Sequence, residues 1–257
     1  MTALTSLNSK ERAKVEAIVA RYVSNRDLVQ TMLDQLRMAI EGHAPLMACV
    51  HSLRWRIKDT DHLREKLTRK ALKAKTEGSE FRVTPENLFE TINDLAGLRI
   101  LHLHSGQIVA IDKSLRDLFQ EFRYEIVEEP KARTWDDESR EFFRSIGIEP
   151  VESPTMYTSV HYVIAPNSQT RVTCELQVRT LAEELWGEVD HTMNYPHKSP
   201  VDTCCEQIKV LARVTSSCTR LVDSIFRASS QYESPRGTGA PLAAPAPART
   251  RSRRKPA

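Results

Sequence analysis

The chain has 257 residues, 40% apolar and 28% charged, with a formal net charge of +3. That length supports one large domain or two small ones around a buried core, which excludes a mini-protein held by staples. No apolar run approaches the ~18 residues of a membrane-spanning helix, so no membrane partner is expected.

The first residues, MTALTSLNSKERAKVEAIV, lack the basic start, apolar core and small-residue cleavage site of a secretory signal. With five cysteines, two of them adjacent at Cys204 and Cys205 where ordinary disulfide geometry is out of reach, reduced thiols in a cytosolic protein are expected. From Ser9 to about Glu41, Val15, Ile18, Val19, Leu28, Met32 and Leu36 recur at helical spacing, predicting one long amphipathic helix or two with a break near Ser24-Asn25. A strand-like stretch through Leu53 and Trp55 follows Pro45, then a cation-rich helix beyond Asp61, read as its N-cap. Thr84-Pro85-Glu86 opens a further helix that ends at Gly97, and Leu98 to His104 begins a strand.

A helix over 108–121 and a strand over 124–127 come next, then a polar stretch, Lys131 to Pro154, that reads as a long loop with at most a short helix. Two strands, 158–165 and 171–178, are joined by the turn residues Pro166-Asn167-Ser168-Gln169, and helices over 181–193 and about 203–227 complete the folded part. The pattern predicts an α/β fold, a mixed sheet flanked by helices. The expected division is an N-terminal helical segment (1–45), a central domain (46–200), a C-terminal helix (201–233) and a tail (234–257). The tail holds six basic residues, no acidic one and five of the thirteen prolines, so disorder is expected there. Without those six cations the body carries 31 basic and 34 acidic residues, so net charge gives no argument that the body binds nucleic acid. Weak RNA contact is expected of the tail alone.

Four constellations carry chemistry. Lys66, Arg69, Lys70 and Lys73 share a helix face that attracts phosphate, with Arg56 and Lys58 just ahead of it. Asp94, before the Gly97 turn, stands where a sheet edge often holds a metal. Strand alternation puts Tyr157, Ser159 and His161 on one face, suited to stacking on a base and touching phosphate or sugar. It likewise lines up Glu175, Gln177 and Arg179, a polar row that is costly to bury without use. In the next helix Glu184, Glu188 and His191 also have metal-ligand spacing, with His102 and His104 as the one candidate second set.

Taken together, RIK…REKLTRK, DLAGLRI, YTSVHY and ELQVRT…LWGEVDH resemble, in order and separation, the synthetase domain of the RelA/SpoT alarmone enzymes, closest to the small single-domain members. The resemblance spans roughly Val50 to Tyr195, and the His-Asp dipeptide required by the family's hydrolase half is absent. It implies a nucleotidyltransferase-like fold and a pyrophosphokinase that moves the β,γ-pyrophosphate of ATP onto a ribose 3'-hydroxyl and releases AMP. It implies that Arg56 and Arg99 sandwich the adenine, that Lys58, Lys66 and Arg69 hold its phosphates, and that Asp94 binds Mg²⁺ with Glu175 as second metal contact or base. Tyr157 would stack on the acceptor base, His161 and Gln177 would reach the acceptor, and Arg179 would support the strand end.

The chain departs from the family pattern at Met156, where glycine commonly precedes the tyrosine, and at His62, where serine is usual. It also shows no dense basic run beside Tyr157. GDP or GTP is the expected acceptor. The same chemistry on a tRNA 3' end or an adenine nucleotide, as in related toxins, and a catalytically silent nucleotide-binding sensor stay open, as does a homo-oligomer.

Overall fold

The computed structural model describes residues 7–168, 170–194 and 199–233; the tail, 234–257, lies outside the described residues. Helix α1 (Ser9–Ser24) starts in a capping box, in which the Asn8 side chain accepts from the Glu11 N–H and the Glu11 carboxylate accepts from the Asn8 N–H. One residue, Asn25, separates it from α2 (Arg26–Gly42), and a short α3 (Ala44–Met47) leads into β1 (Ser52–Ile57). Helix α4 (Thr60–Thr76) is capped by Asp59 rather than Asp61. Asp59 has extended backbone and its Oδ1 accepts from the N–H groups of Asp61 and His62, which leaves Asp61 inside the first turn.

The helix expected after Pro85 shrinks to one turn, α5 (Leu88–Thr91). Thr84 and Asn87 bond each other's backbone N–H through their side chains, fixing a turn where the helix would have begun. Strand β2 is Ala96–His102, so Gly97 lies inside the sheet rather than in a turn before it. Helix α6 (Ile108–Glu121) follows. Strand β3 (Tyr124–Thr134) is much longer than its sequence suggested, because register shifts around Glu128 break the alternation and take up Pro130. The expected loop is therefore the end of β3, α7 (Asp137–Ser145) and β4 (Glu149–Glu152). The remaining elements are β5 (Ser159–Pro166), β6 (Cys174–Thr180), α8 (Leu181–Asn194) and α9 (Asp202–Glu233).

The six strands form one mixed sheet in the order β1-β2-β6-β5-β3-β4, with β2/β6 and β3/β4 parallel and the other pairs antiparallel. Period-two alternation divides its faces. Leu98, Ile100, Leu176, Val178, Val160 and Tyr162 face a core filled by residues of α1, α2, α4 and α6. The opposite face carries Arg54, Arg99, Gln177 and His161 in one cross-strand row and Arg56, Gly97 and Glu175 in the next. A second, smaller cluster of Trp186, Ile208 and Ala212 joins α8 to α9.

His102 closes the polar end of β2. Burial pushes its imidazole down to about 4, and its Nδ1 lies 3.0 Å from the His104 carbonyl oxygen. The folded state thus takes up this proton at lower pH than the unfolded chain, so His102 weakens the fold as pH falls from about 6.5 towards 4. The difference in unfolding free energy between wild type and His102→Asn should shrink by about 3 kcal/mol across that window, as read from urea titrations at each pH. A constant difference would mean that His102 carries no buried-neutral penalty.

Candidate active site

Asp94 lies in the turn just ahead of β2. Lys58, at the end of β1, donates to its Oδ2 at 2.8 Å, and Lys66 of α4 donates to its Oδ1 at 2.7 Å. The Lys58 N–H bonds the Leu95 carbonyl at 2.8 Å and the Tyr22 hydroxyl donates to the Lys58 carbonyl, so the backbone on either side of this pair is pinned. Burial pushes the Asp94 carboxyl up, but the two lysines outweigh it and hold the group below the usual carboxylate value. Asp94 is therefore a charged acid at neutral pH, although its side chain is only 20% exposed.

Gly97 sits between Arg56 on β1 and Glu175 on β6. Its missing side chain leaves open the floor of a cavity of about 200 Å³, lined by Arg56, Asp94, Arg99, Glu175 and Gln177 among others. Five of the expected donor-side and catalytic or acceptor residues thus meet in one space. Arg69, one turn after Lys66 on α4, is exposed and is not part of the lining.

Glu175 anchors the other half. Its Oε1 lies 2.9 Å from His161 Nδ1 and its Oε2 accepts from Gln177 Nε2 at 3.0 Å. Tyr157 closes the ring, with its hydroxyl donating to Gln177 Oε1 at 3.2 Å and lying 3.2 Å from His161 Nε2. Burial raises the Glu175 carboxyl, yet the His161 contact overrides this and lowers it overall. A carboxylate offers about four lone-pair positions, so Glu175 keeps capacity for a further donor or a cation. The Tyr157 ring is flanked by the Arg179 guanidinium at 5.5 Å and by Trp186 at 6.3 Å. The expected acceptor residues, Tyr157, His161, Gln177 and Arg179, are therefore in mutual contact.

Met156, just before Tyr157, has φ 57°, in the left-handed region that glycine occupies without strain. Its side chain packs against the cluster of Trp186, Ile208 and Ala212, and this contact opposes a backbone cost of about 1–2 kcal/mol.

The structure decides one open reading, corrects one expectation and adds residues. Glu184, Glu188 and His191 do not join His102 and His104 in a metal set. Glu184 bonds Arg54 at 2.8 Å and Arg99 at 3.1 Å, while the His104 ring stacks on Phe226. Among the described residues no group of three or more His, Cys, Asp or Glu side chains could hold a metal ion. Nor is the region near Tyr157 poor in cations: Lys131 pairs with His161 across the β3/β5 ladder and Arg133 with Ser159, both exposed. Their alternation with buried Ala132 and Thr134 was the available sequence signal. Arg54, opposite Arg99, was detectable as the residue two before Arg56 on one strand face.

Asp94 and Glu175 fit a magnesium site: both are oxygen donors, both are held in the charged form, and both line one cavity. Mg²⁺ takes one or two protein carboxylates and completes its shell with water and phosphate oxygens.

Comparison with known proteins matches residues 55–200 to the model of a region found in RelA and SpoT proteins. Over 187 residues the chain is 25% identical to the GTP pyrophosphokinase YjbM of Bacillus subtilis strain 168, covering 70% of this chain and 71% of that protein. In fold it is similar to the small alarmone synthetase 1 of Bacillus subtilis, with a TM-score of 0.53 and 20% identity over 82% of this chain and 96% of that one. The same synthetase bound to its product pppGpp gives a TM-score of 0.53 at 20% identity, covering 79% and 93% of the two chains. Its complex with AMPCPP gives 0.52 at 18% identity, covering 79% and 95%. No helix of the described residues is long and apolar enough to cross a membrane.

Proposed function

The chain belongs to the RelA/SpoT family, and on that premise we propose that it is a magnesium-dependent pyrophosphokinase that transfers the β,γ-pyrophosphate of ATP to the 3'-hydroxyl of GDP or GTP. One observation carries the proposal: two charged carboxylates, Asp94 and Glu175, line a cavity whose walls are arginines on one side and whose far carboxylate is bonded to the His161–Tyr157–Gln177 set on the other. The relative's name, GTP pyrophosphokinase, and the synthetase complexes with pppGpp and AMPCPP support this choice of substrates.

ATP and GDP together bring about seven negative charges, whose repulsion must be offset before the two can react. Lys58, Lys66 and Arg69 meet the donor phosphates, and Arg56 and Arg99 take the adenine between guanidinium planes. Lys131 and Arg133 supply the counter-charge for the acceptor phosphates beside His161. Asp94 and Glu175 would hold Mg²⁺, which would supply counter-charge to the phosphates. The acceptor's 3'-oxygen forms a bond to Pβ as the Pβ–O bond to the α-phosphate breaks. Glu175 receives the hydroxyl proton, and AMP departs with the bond's electrons. Positioning of this kind supplies ~7 kcal/mol or more of the barrier reduction.

Incubation with γ-labelled ATP, Mg²⁺ and, separately, GDP, GTP, ADP and bulk tRNA tests the acceptor. Label should appear in the guanosine nucleotides, whereas label in tRNA or adenine nucleotide alone would replace the acceptor, and no transfer would favour a silent sensor.

Substitutions at two positions separate donor from acceptor. Lys66→Ala should weaken ATP binding by about 1.5–3 kcal/mol, as expected for a lost charged phosphate contact, with little change in acceptor binding. Calorimetric titration with ATP reads this, and an unchanged affinity would confine Lys66 to its pairing with Asp94. Tyr157→Ala should cost ~1–3 kcal/mol of acceptor binding, and Tyr157→Phe about 1 kcal/mol or less, since the ring supplies the stacking surface. A loss of ATP affinity instead would reassign the tyrosine.

A further inference from the structure

Helix α8 holds a glycine at Gly187, mid-helix, where glycine costs stability relative to alanine. Its missing side chain is used. A Cβ at Gly187 would come within 2.6 Å of Arg179 Nη1. Arg179 is 2% exposed, and it lies along α8 with its other terminal nitrogen paired to Glu184 Oε2. The same guanidinium covers the Tyr157 ring at 5.5 Å. Glu184, itself 8% exposed at its side chain, meanwhile accepts through Oε1 from Arg54 of β1 at 2.8 Å and Arg99 of β2 at 3.1 Å. One carboxylate thus gathers guanidinium groups from three strands. One of these groups covers the acceptor-side tyrosine and another lines the donor cavity.

We propose that Glu184 and Gly187 form a seat on α8 that positions Arg179 on the face of Tyr157, so that these two residues set acceptor affinity without touching the substrate. Glu184 supplies the charge that draws Arg179 to the helix, and Gly187 supplies the room for it to lie flat. A buried arginine aligned on a ring fixes the orientation of that ring, and a cation over an aromatic face is a substantial contact once desolvated. The shared Oε1 adds a second consequence. Because Arg99 leans on the same carboxylate, Glu184 also orients the donor-side guanidinium, whereas the atoms nearest a side chain at Gly187 belong to Arg179. The two positions are therefore expected to differ in what they disturb.

The inference rests on the nucleotide-acceptor reading given above. Gly187→Ala favours the helix, but the atom that must yield belongs to a buried, ion-paired arginine, so a melting curve is read beside binding to show that the variant is folded. In the folded variant GDP binding, read by calorimetry, should weaken about tenfold while ATP binding stays within twofold. Glu184→Gln should weaken both nucleotides. GDP affinity in Gly187→Ala within twofold of wild type would overturn the seat, as would an equal loss for ATP and GDP. Since binding is read without turnover, a wild type that binds GDP but transfers nothing to it counts against the proposed reaction and leaves the seat under test. A wild type that binds no GDP overturns both.

Discussion

Glu175→Gln should reduce pyrophosphate transfer by about 10²–10⁴-fold while ATP affinity stays within a few-fold. The amide keeps the volume of the carboxylate but cannot take the 3'-hydroxyl proton, and it brings no charge to a cation. It also disturbs the hydrogen-bond ring. His161 Nδ1, 2.9 Å from Glu175 Oε1, would face an amide in place of a charged acceptor, and Gln177 would keep a neutral partner at best. Single-turnover assays at saturating ATP isolate this step from donor binding. Turnover above about a tenth of wild type would remove Glu175 from proton transfer, since general-base contributions are seldom that small.

Asp94→Asn should be nearly as severe for activity and, unlike Glu175→Gln, should also destabilise the fold. Lys58 is 7% exposed at its side chain and Asp94 is the acid it meets, so neutralising the acid leaves a buried ammonium without a counter-charge. Breaking a buried pair typically costs 3–5 kcal/mol, and the partial exposure of Asp94 reduces that to about 2–3 kcal/mol here. Activity should fall by at least about a hundredfold, because the same side chain is the expected metal contact.

The stability effect has a pH signature. The folded Asp94 carboxyl titrates below its unfolded value, so its contribution is fully present above the unfolded value of about 3.9 and disappears as pH falls through the lowered folded value. The wild type and Asp94→Asn should therefore converge in acid. Urea denaturation across that range reads it, and a gap that persists once both states are protonated would mean that the variant acts through packing rather than charge.

How much of this was legible before the structure depends on the range of each interaction. Strand β6 declared its two faces, although it runs Cys174–Thr180 rather than 171–178: alternation in CELQVRT separates Glu175, Gln177 and Arg179 from Cys174, Leu176 and Val178, and the sheet keeps that division. The helices α6 and α8 were likewise local periodicity, whereas periodicity left one long helix or a break near Ser24-Asn25 open and the structure has the break. Strand β3 was not legible, because its register shifts interrupt period two and Pro130 reads as a terminator. That error hid Lys131 and Arg133.

At the site, residue identities were readable but partnerships were not. Nothing local in Lys58, Lys66 or Asp94 says that one carboxylate holds two lysines from separate elements. Glu184 illustrates the same limit. Its spacing with Glu188 and His191 suits a metal, and only the sheet register that delivers Arg54, Arg99 and Arg179 to it shows that it holds cations of the protein instead. Met156 was visible as an unusual residue in its motif, but its left-handed backbone, the physical reason glycine fits there, required coordinates.

The measurement that bears most directly on the account is the product balance with ATP and GDP. Transfer of an intact β,γ-pyrophosphate predicts one AMP for each guanosine nucleotide modified at its 3' position, with both the β- and γ-phosphorus atoms of ATP recovered in that product by ³¹P spectroscopy. ADP in place of AMP, or γ-phosphorus alone in the product, would mean simple phosphate transfer and would contradict the mechanism built on Asp94 and Glu175.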